Sequence, residues 1–119
     1  ENLIHQSKSR RISKVCRYIE ENISQKITLS DVAQLVNMSD SAFSHFFKKQ
    51  TGISFITYVN NIRVAKACDL LANTNLSASE ICYDCGFNNK SNFIRLFTKR
   101  KNMTPIEYRN HITQLLIKY

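Results

Sequence analysis

The chain has 119 residues, 43% of them hydrophobic, and carries 17 Lys and Arg against 9 Asp and Glu, a net charge of +8. Its size is that of one domain, and the excess of cations calls for an anionic partner, nucleic acid first and a membrane surface second. No apolar run nears the ~18 residues of a membrane span, no signal peptide opens the chain, and neither a Gly-rich phosphate loop nor a His paired with Cys or acid at a useful spacing occurs.

Residues 1–6 read as a flexible start, and a first residue of Glu rather than Met points to a piece of a longer protein. From Ser7 to Ile23 the apolar positions Ile12, Val15, Cys16, Ile19 and Ile23 recur at helical spacing. The other side of that helix carries Lys8, Arg10, Arg11, Lys14 and Arg17, either phosphate contacts or a solvated basic face. Thr28-Leu29-Ser30-Asp31 is a capping box, a hydroxyl three residues before an acid. It starts a short helix that breaks at Asn37-Met38-Ser39, and a second helix runs to Thr51, where Gly52 stands at the C-cap. Ser54 caps a helix expected to reach Ala72, about 19 residues or ~28 Å at 1.5 Å per residue, a rigid spacer ended by Asn73-Thr74-Asn75. Ser77-Ala78-Ser79-Glu80 repeats the capping box, Gly86-Phe87-Asn88 repeats the break, and a helix follows to about Lys101. Thr104-Pro105-Ile106-Glu107 then begins a last helix with the stripe Tyr108, Ile112, Leu115 and Leu116, Arg109 and His111 facing out.

The two halves are one unit used twice. At an offset of 50, Ser41/Ser91, Phe43/Phe93, Phe47/Phe97, Lys49/Lys99, Ile56/Ile106 and Tyr58/Tyr108 are identical. Each copy is short helix, tight turn, second helix, the helix-turn-helix layout. No segment alternates with period two, so the fold is all-α. The expected division is a start at 1–6, a first helix-turn-helix subdomain at 7–53, a linker helix at 54–73 and a second subdomain at 74–119.

Cys82-x-x-Cys85 resembles half a zinc site or a redox pair. Both cysteines, however, align with Ala33 and Val36 on the inner side of a helix, where a free Cys acts as a small hydrophobe. No metal, cofactor or disulfide framework is expected.

At 100° per residue, Phe43, Phe46 and Phe47 share the inner face of the first unit's second helix, and Ser41, Ser44, His45 and Lys48 the outer. In the repeat, Phe93, Leu96 and Phe97 face in, and Ser91, Ile94, Arg95 and Thr98 face out, with Lys90 at the helix start. A helix with small, hydrogen-bonding outer residues suits a DNA major groove. Arg95 is the leading base reader, through guanine O6 and N7, against a phosphate contact or salt bridge. His45 either donates to a base or phosphate or is a solvated surface His. Ile94 either meets a thymine methyl or packs on a neighbouring helix. Lys48, Lys49, Lys99, Arg100 and Lys101 are phosphate contacts or solubility charge, and Ser39 and Asn88 are helix caps first and phosphate contacts second.

Leu29-Ser30-Asp31-Val32-Ala33, the run Phe43 to Gly52, Arg63 with Ala67 and Leu70-Leu71, Gly86-Phe87, Phe93-Ile94-Arg95-Leu96-Phe97 and Thr104-Pro105-Ile106-Glu107-Tyr108-Arg109 closely resemble the DNA-binding domain of AraC/XylS-type bacterial transcription regulators. The resemblance runs from the first helix to Arg109. It implies about seven helices, with two homeodomain-like helix-turn-helix units joined by a long central helix. Both recognition helices then enter successive major-groove segments of a promoter. The base readers it implies are Ser41, Ser44, His45, Lys90, Ser91, Ile94 and Arg95. The backbone contacts are Ser39, Lys48, Lys49, Arg63, Asn88, Asn89, Lys99, Arg100 and Lys101. Double-stranded DNA and RNA polymerase are the implied partners, with a preceding sensor or dimerisation domain, no membrane, no enzymatic activity and a cytoplasmic location. Departures from the family pattern are Asn102, where Gly is common, Thr98 in place of a basic residue, and Cys82 and Cys85. The alternative is a basic helical protein-interaction module with only nonspecific nucleic-acid affinity.

Overall fold

The computed structural model describes residues 2–118, which form seven helices and no strand: α1 (Asn2–Glu21), α2 (Leu29–Leu35), α3 (Asp40–Thr51), α4 (Phe55–Asn73), α5 (Ala78–Asp84), α6 (Lys90–Lys101) and α7 (Pro105–Lys118). The chain divides into two compact units, Glu1–Asn61 and Ile62–Tyr119, with the division inside α4. α1 begins at Asn2, five residues before the expected Ser7. No Pro or Gly interrupts residues 2–11, and nothing local stops the helix from extending upstream of its apolar stripe.

Three capping boxes start helices where the sequence places hydroxyl and acid three apart. Thr28 Oγ1 accepts from the Asp31 N–H at 3.1 Å while the Asp31 carboxylate accepts from the Thr28 N–H at 3.0 Å. Ser77 with Glu80 does the same for α5, and Thr104 with Glu107 for α7. The backbone N–H and hydroxyl of Thr28 hold the Asp31 carboxyl below its ordinary 3.8, and those of Thr104 hold Glu107 below 4.5.

The positive-φ residues also come in repeat pairs. Asn37 (φ 58) and Gly86 (φ 88) turn the chain between the helices of each motif, and Gly52 (φ 83) and Asn102 (φ 59) end the recognition helices. Asn and Gly exchange places between the copies because both tolerate the left-handed backbone. Asn102 therefore does the work of the more usual Gly.

Each unit closes on aromatic rings. In the first, Phe43, Phe47 and Phe55 lie 5.7 to 5.9 Å apart, with Phe47 edge-on to Tyr58 at 5.4 Å. In the second, Phe87, Phe93 and Phe97 form the corresponding group, with Phe97 edge-on to Tyr108 at 5.6 Å. The third ring comes from a different place in each copy: Phe55 aligns with buried Pro105, and Phe87 aligns with Met38. Edge contacts of this kind add ~0.5–1.5 kcal/mol per pair to what burial supplies.

Both phenols also reach a thiol. Tyr58 Oη donates to Cys16 Sγ at 3.1 Å, and Tyr108 faces Cys68 at the matching place, where loss of water first and the thiol second raise its hydroxyl. Loss of water around Tyr58, then the bond to Cys16, pushes its hydroxyl up to about 12, so it stays a protonated donor. Val15-Cys16 with Ile19 and Ala67-Cys68 with Leu71 thus occupy equivalent places. The repeat takes in the preceding helix of each motif, at an offset of 52. Cys82 and Cys85 are fully buried in the second core, and burial pushes the Cys85 thiol up to about 11.

Arg109 departs from its expected outward position. Its Nε donates to the Leu71 carbonyl at 3.0 Å and an Nη to the Thr74 carbonyl at 3.1 Å, closing the C-terminal end of α4. Hydrogen bonds from charged donors are worth ~1.5–3 kcal/mol each. Arg109→Ala is expected to lower unfolding free energy by about 2–3 kcal/mol in denaturant titration, less than two full bonds because half-buried Arg109 leaves water able to replace part of them, and Arg109→Lys to restore only part, because a single ammonium cannot span both carbonyls. A second expectation concerns acid. Because Asp31 and Glu107 have depressed folded values, their stabilisation is present in full above the ordinary carboxylate range and is lost as pH falls through those values. Asp31→Asn/Glu107→Gln is expected to melt below wild type at pH 7, and the gap to narrow progressively as pH falls below the ordinary carboxylate range.

Candidate nucleic-acid interface

The recognition helices α3 and α6 are placed by their caps and their inner rings. Ser39 Oγ accepts from the Ala42 N–H at 3.2 Å at the start of α3. Asn89 Oδ1 accepts from the Asn92 N–H at 3.0 Å at the start of α6. The cap of α6 is thus Asn89, one residue beyond the expected Asn88. Two adjacent Asn have equal propensity for the place, and the buried ring of Phe87, with its N–H bonded to the Cys82 carbonyl at 3.0 Å, sets the register.

With Phe43 and Phe47 at 0% exposure, α3 turns Ser41, Ser44, His45, Lys48 and Lys49 to solvent. Together with Leu29 and Asp40 they line an open concavity of about 600 Å³. Asp40 was not foreseen there. Its carboxylate accepts from Ser30 Oγ at 2.6 Å, tying α2 to the first turn of α3, where a negative charge also suits the helix dipole. Its match in the second unit is Lys90, the opposite charge.

On α6, with Phe93 and Phe97 fully buried, Lys90, Ser91, Arg95, Lys99 and Lys101 are exposed and Arg100 is half-buried. Arg95 Nη2 donates to Asn92 Oδ1 at 2.9 Å. Asn89, Asn92 and Arg95 therefore form a chain in which the cap orders Asn92 and Asn92 holds the guanidinium. Asn92 was missed because an Asn mid-helix reads as neutral surface until its acceptor is seen.

Two residues expected on this outer face do not lie fully on it. Ile94 is half-buried against the second core, and Thr98 has its hydroxyl oxygen buried. A helical wheel assigns sides, but the width of the buried arc depends on what the helix packs against. Arg63 is half-buried with its guanidinium 5.9 Å from the centre of the Phe87 ring. Asn88 is exposed in the turn.

Charge differs sharply between the two recognition helices. α3 carries Lys48 and Lys49 against Asp40, net +1, whereas α6 carries Lys90, Arg95, Lys99, Arg100 and Lys101 with no acid, net +5. The C-terminal lysines and arginine also complement the helix dipole.

Two helix-turn-helix units, each presenting a polar and basic recognition helix, define a tandem helix-turn-helix protein. The family model described as a helix-turn-helix domain matches residues 32–111. The chain is similar to the regulatory protein PocR of Salmonella typhimurium, 36% identical over 110 residues that span 92% of this chain and 35% of that protein. It is similar to the arabinose operon regulatory protein of Escherichia coli, 30% identical over 107 residues, 89% of this chain and 37% of that protein. It therefore spans about a third of the length of these curated relatives. Among solved structures, the C-terminal domain of AraT, a response regulator from Geobacillus stearothermophilus, superposes with a TM-score of 0.81 at 33% identity, covering 85% of this chain and 84% of that one. The chain belongs to the AraC/XylS-type helix-turn-helix family.

Removal of the α6 cap tests how its first turn is held. Asn89→Ala is expected to cost about 1 kcal/mol, and to speed amide exchange at residues 90–92 ahead of the rest of α6.

Proposed function

We propose that the chain is the sequence-specific DNA-binding part of a bacterial transcription regulator, and that α3 and α6 enter successive major-groove segments of a promoter. The observation that carries this reading is the pair of matched recognition helices, each holding phenylalanines in its own core and turning a hydrogen-bonding, basic strip to solvent. The relatives' names, a regulatory protein and an operon regulator, agree with it. Residues 7–53 and 74–119, with α4 lending a part to each, are the two reading units.

Ser41, Ser44 and His45 read bases in the first unit, and Lys90, Ser91 and Arg95 in the second, with the outward part of Ile94 available to a thymine methyl. Ser39, Lys48, Lys49, Asn88, Asn89, Lys99, Arg100 and Lys101 meet phosphates and fix register. Arg63, stacked on Phe87, supports the second unit from its inner side and contributes to the backbone contact only indirectly. Of the two recognition helices, α6 with its +5 is the larger source of salt-dependent affinity. In the whole protein a sensor or dimerisation domain precedes this piece, RNA polymerase is the partner in transcription, and the site of action is the cytoplasm. No helix of the described residues is long and apolar enough to cross a membrane.

Selection from a random duplex pool is expected to enrich two short blocks about one helical turn, ~10 bp, apart. Against the selected site, Arg95→Ala should lose ~1–3 kcal/mol of discrimination at one or two base pairs, whereas Lys49→Ala should weaken matched and scrambled DNA about equally. No enrichment, with binding that disappears as salt rises, would return the chain to a protein-interaction module with nonspecific affinity.

A further inference from the structure

The cations of α1 are not used by the reading helices. Between Asn2 and Ile19 the helix has Lys8, Arg10, Arg11, Lys14 and Arg17 and no acid until Glu20. Three of these side chains converge. Arg10, Arg11 and Lys14, all exposed, line a concavity of about 220 Å³ together with Leu35, Val36 and Asn37, and no carboxylate lines it. Asn37 is the left-handed residue of the helix-turn-helix turn, two residues before the cap of α3.

We propose that this α1 patch is a phosphate-binding surface for the DNA backbone bordering the groove segment read by α3. The inference rests on the base-reading role of α3 proposed above. Distance favours DNA over an acidic protein. Asn37 and Ser41 are four residues apart, at most ~14 Å even if fully extended, and the major groove is ~12 Å wide. A patch that touches Asn37 therefore lies within reach of a groove-wall strand when Ser41 meets a base edge. Two guanidinium groups and an ammonium gathered over an apolar floor suit phosphate oxygens, which Arg engages through two parallel N–H donors. An acidic protein partner would have no reason to be tied to the turn before the recognition helix.

The test is the salt dependence of binding to the selected duplex, by wild type, Arg10→Gln/Arg11→Gln/Lys14→Gln, and Arg10→Lys/Arg11→Lys. Each phosphate contact contributes about −0.9 to the slope of log K against log salt. The Gln variant is expected to flatten the slope by about 2–3 and lose affinity at low salt, while preferring the same bases. The Lys variant is expected to keep most of the slope. Thermal melts of the free proteins establish that the substituted α1, whose patch side chains are exposed, still folds; should the triple variant melt early, single Gln variants carry the same measurement, each expected to lose about 0.9. An unchanged slope and affinity, with wild-type preference intact, overturns the proposal and leaves the patch to an acidic protein. A wild-type chain that does not distinguish matched from scrambled duplex overturns the base-reading proposal, and this one with it.

Discussion

The inner ring of each recognition helix, Phe47 or Phe97, is what the rest of the structure depends on. An α-helix is a stiff cylinder, so fixing its inner face fixes the direction of every outward side chain. Phe47 is clamped by Phe43, Phe55 and Tyr58, and Phe97 by Phe93 and Tyr108. Each tyrosine in turn faces a thiol of the helix before the motif, Tyr58 donating to Cys16 and Tyr108 beside Cys68. The path from core to interface is therefore short: helix, phenol, ring, recognition helix. Emptying such a ring site costs ~3–5 kcal/mol, comparable with the ~5–15 kcal/mol stability of a whole domain.

The same scaffold carries two different surfaces. Asp40 and Lys90 stand at one repeat position with opposite charge, one tied to Ser30 and the other free of acidic neighbours on its helix. The outer strip of α3 is thus mainly serine and histidine, and that of α6 mainly arginine and lysine. The two copies keep the same inner packing and differ in what they turn to solvent.

Compensation within the repeat has a physical basis at each place. Left-handed backbone is supplied by Asn in one copy and Gly in the other at both turn and C-cap. The third ring of the core comes from the start of α4 in the first unit and from the turn before α6 in the second. Volume and backbone conformation are what packing requires, and either residue that meets the requirement serves. Arg109 supplies a different kind of closure, satisfying carbonyls at the end of α4 that no following residue reaches.

What the amino-acid sequence alone determined is all that depends on neighbours within a few residues. The three capping boxes, the left-handed Asn and Gly, the Phe spacing and the repeat itself follow from backbone geometry, and with them the all-α tandem architecture and the outward place of Ser41, Ser44, His45, Lys90, Ser91 and Arg95. Tertiary structure alone decided the rest. It drew Ile94 against the second core and buried the Thr98 hydroxyl, chose Asn89 over Asn88 through the burial of Phe87, turned Arg109 toward carbonyls 35 and 38 residues away, and set three α1 cations beside Asn37. Such pairings arise from contacts between helices distant in the chain, which no local period encodes.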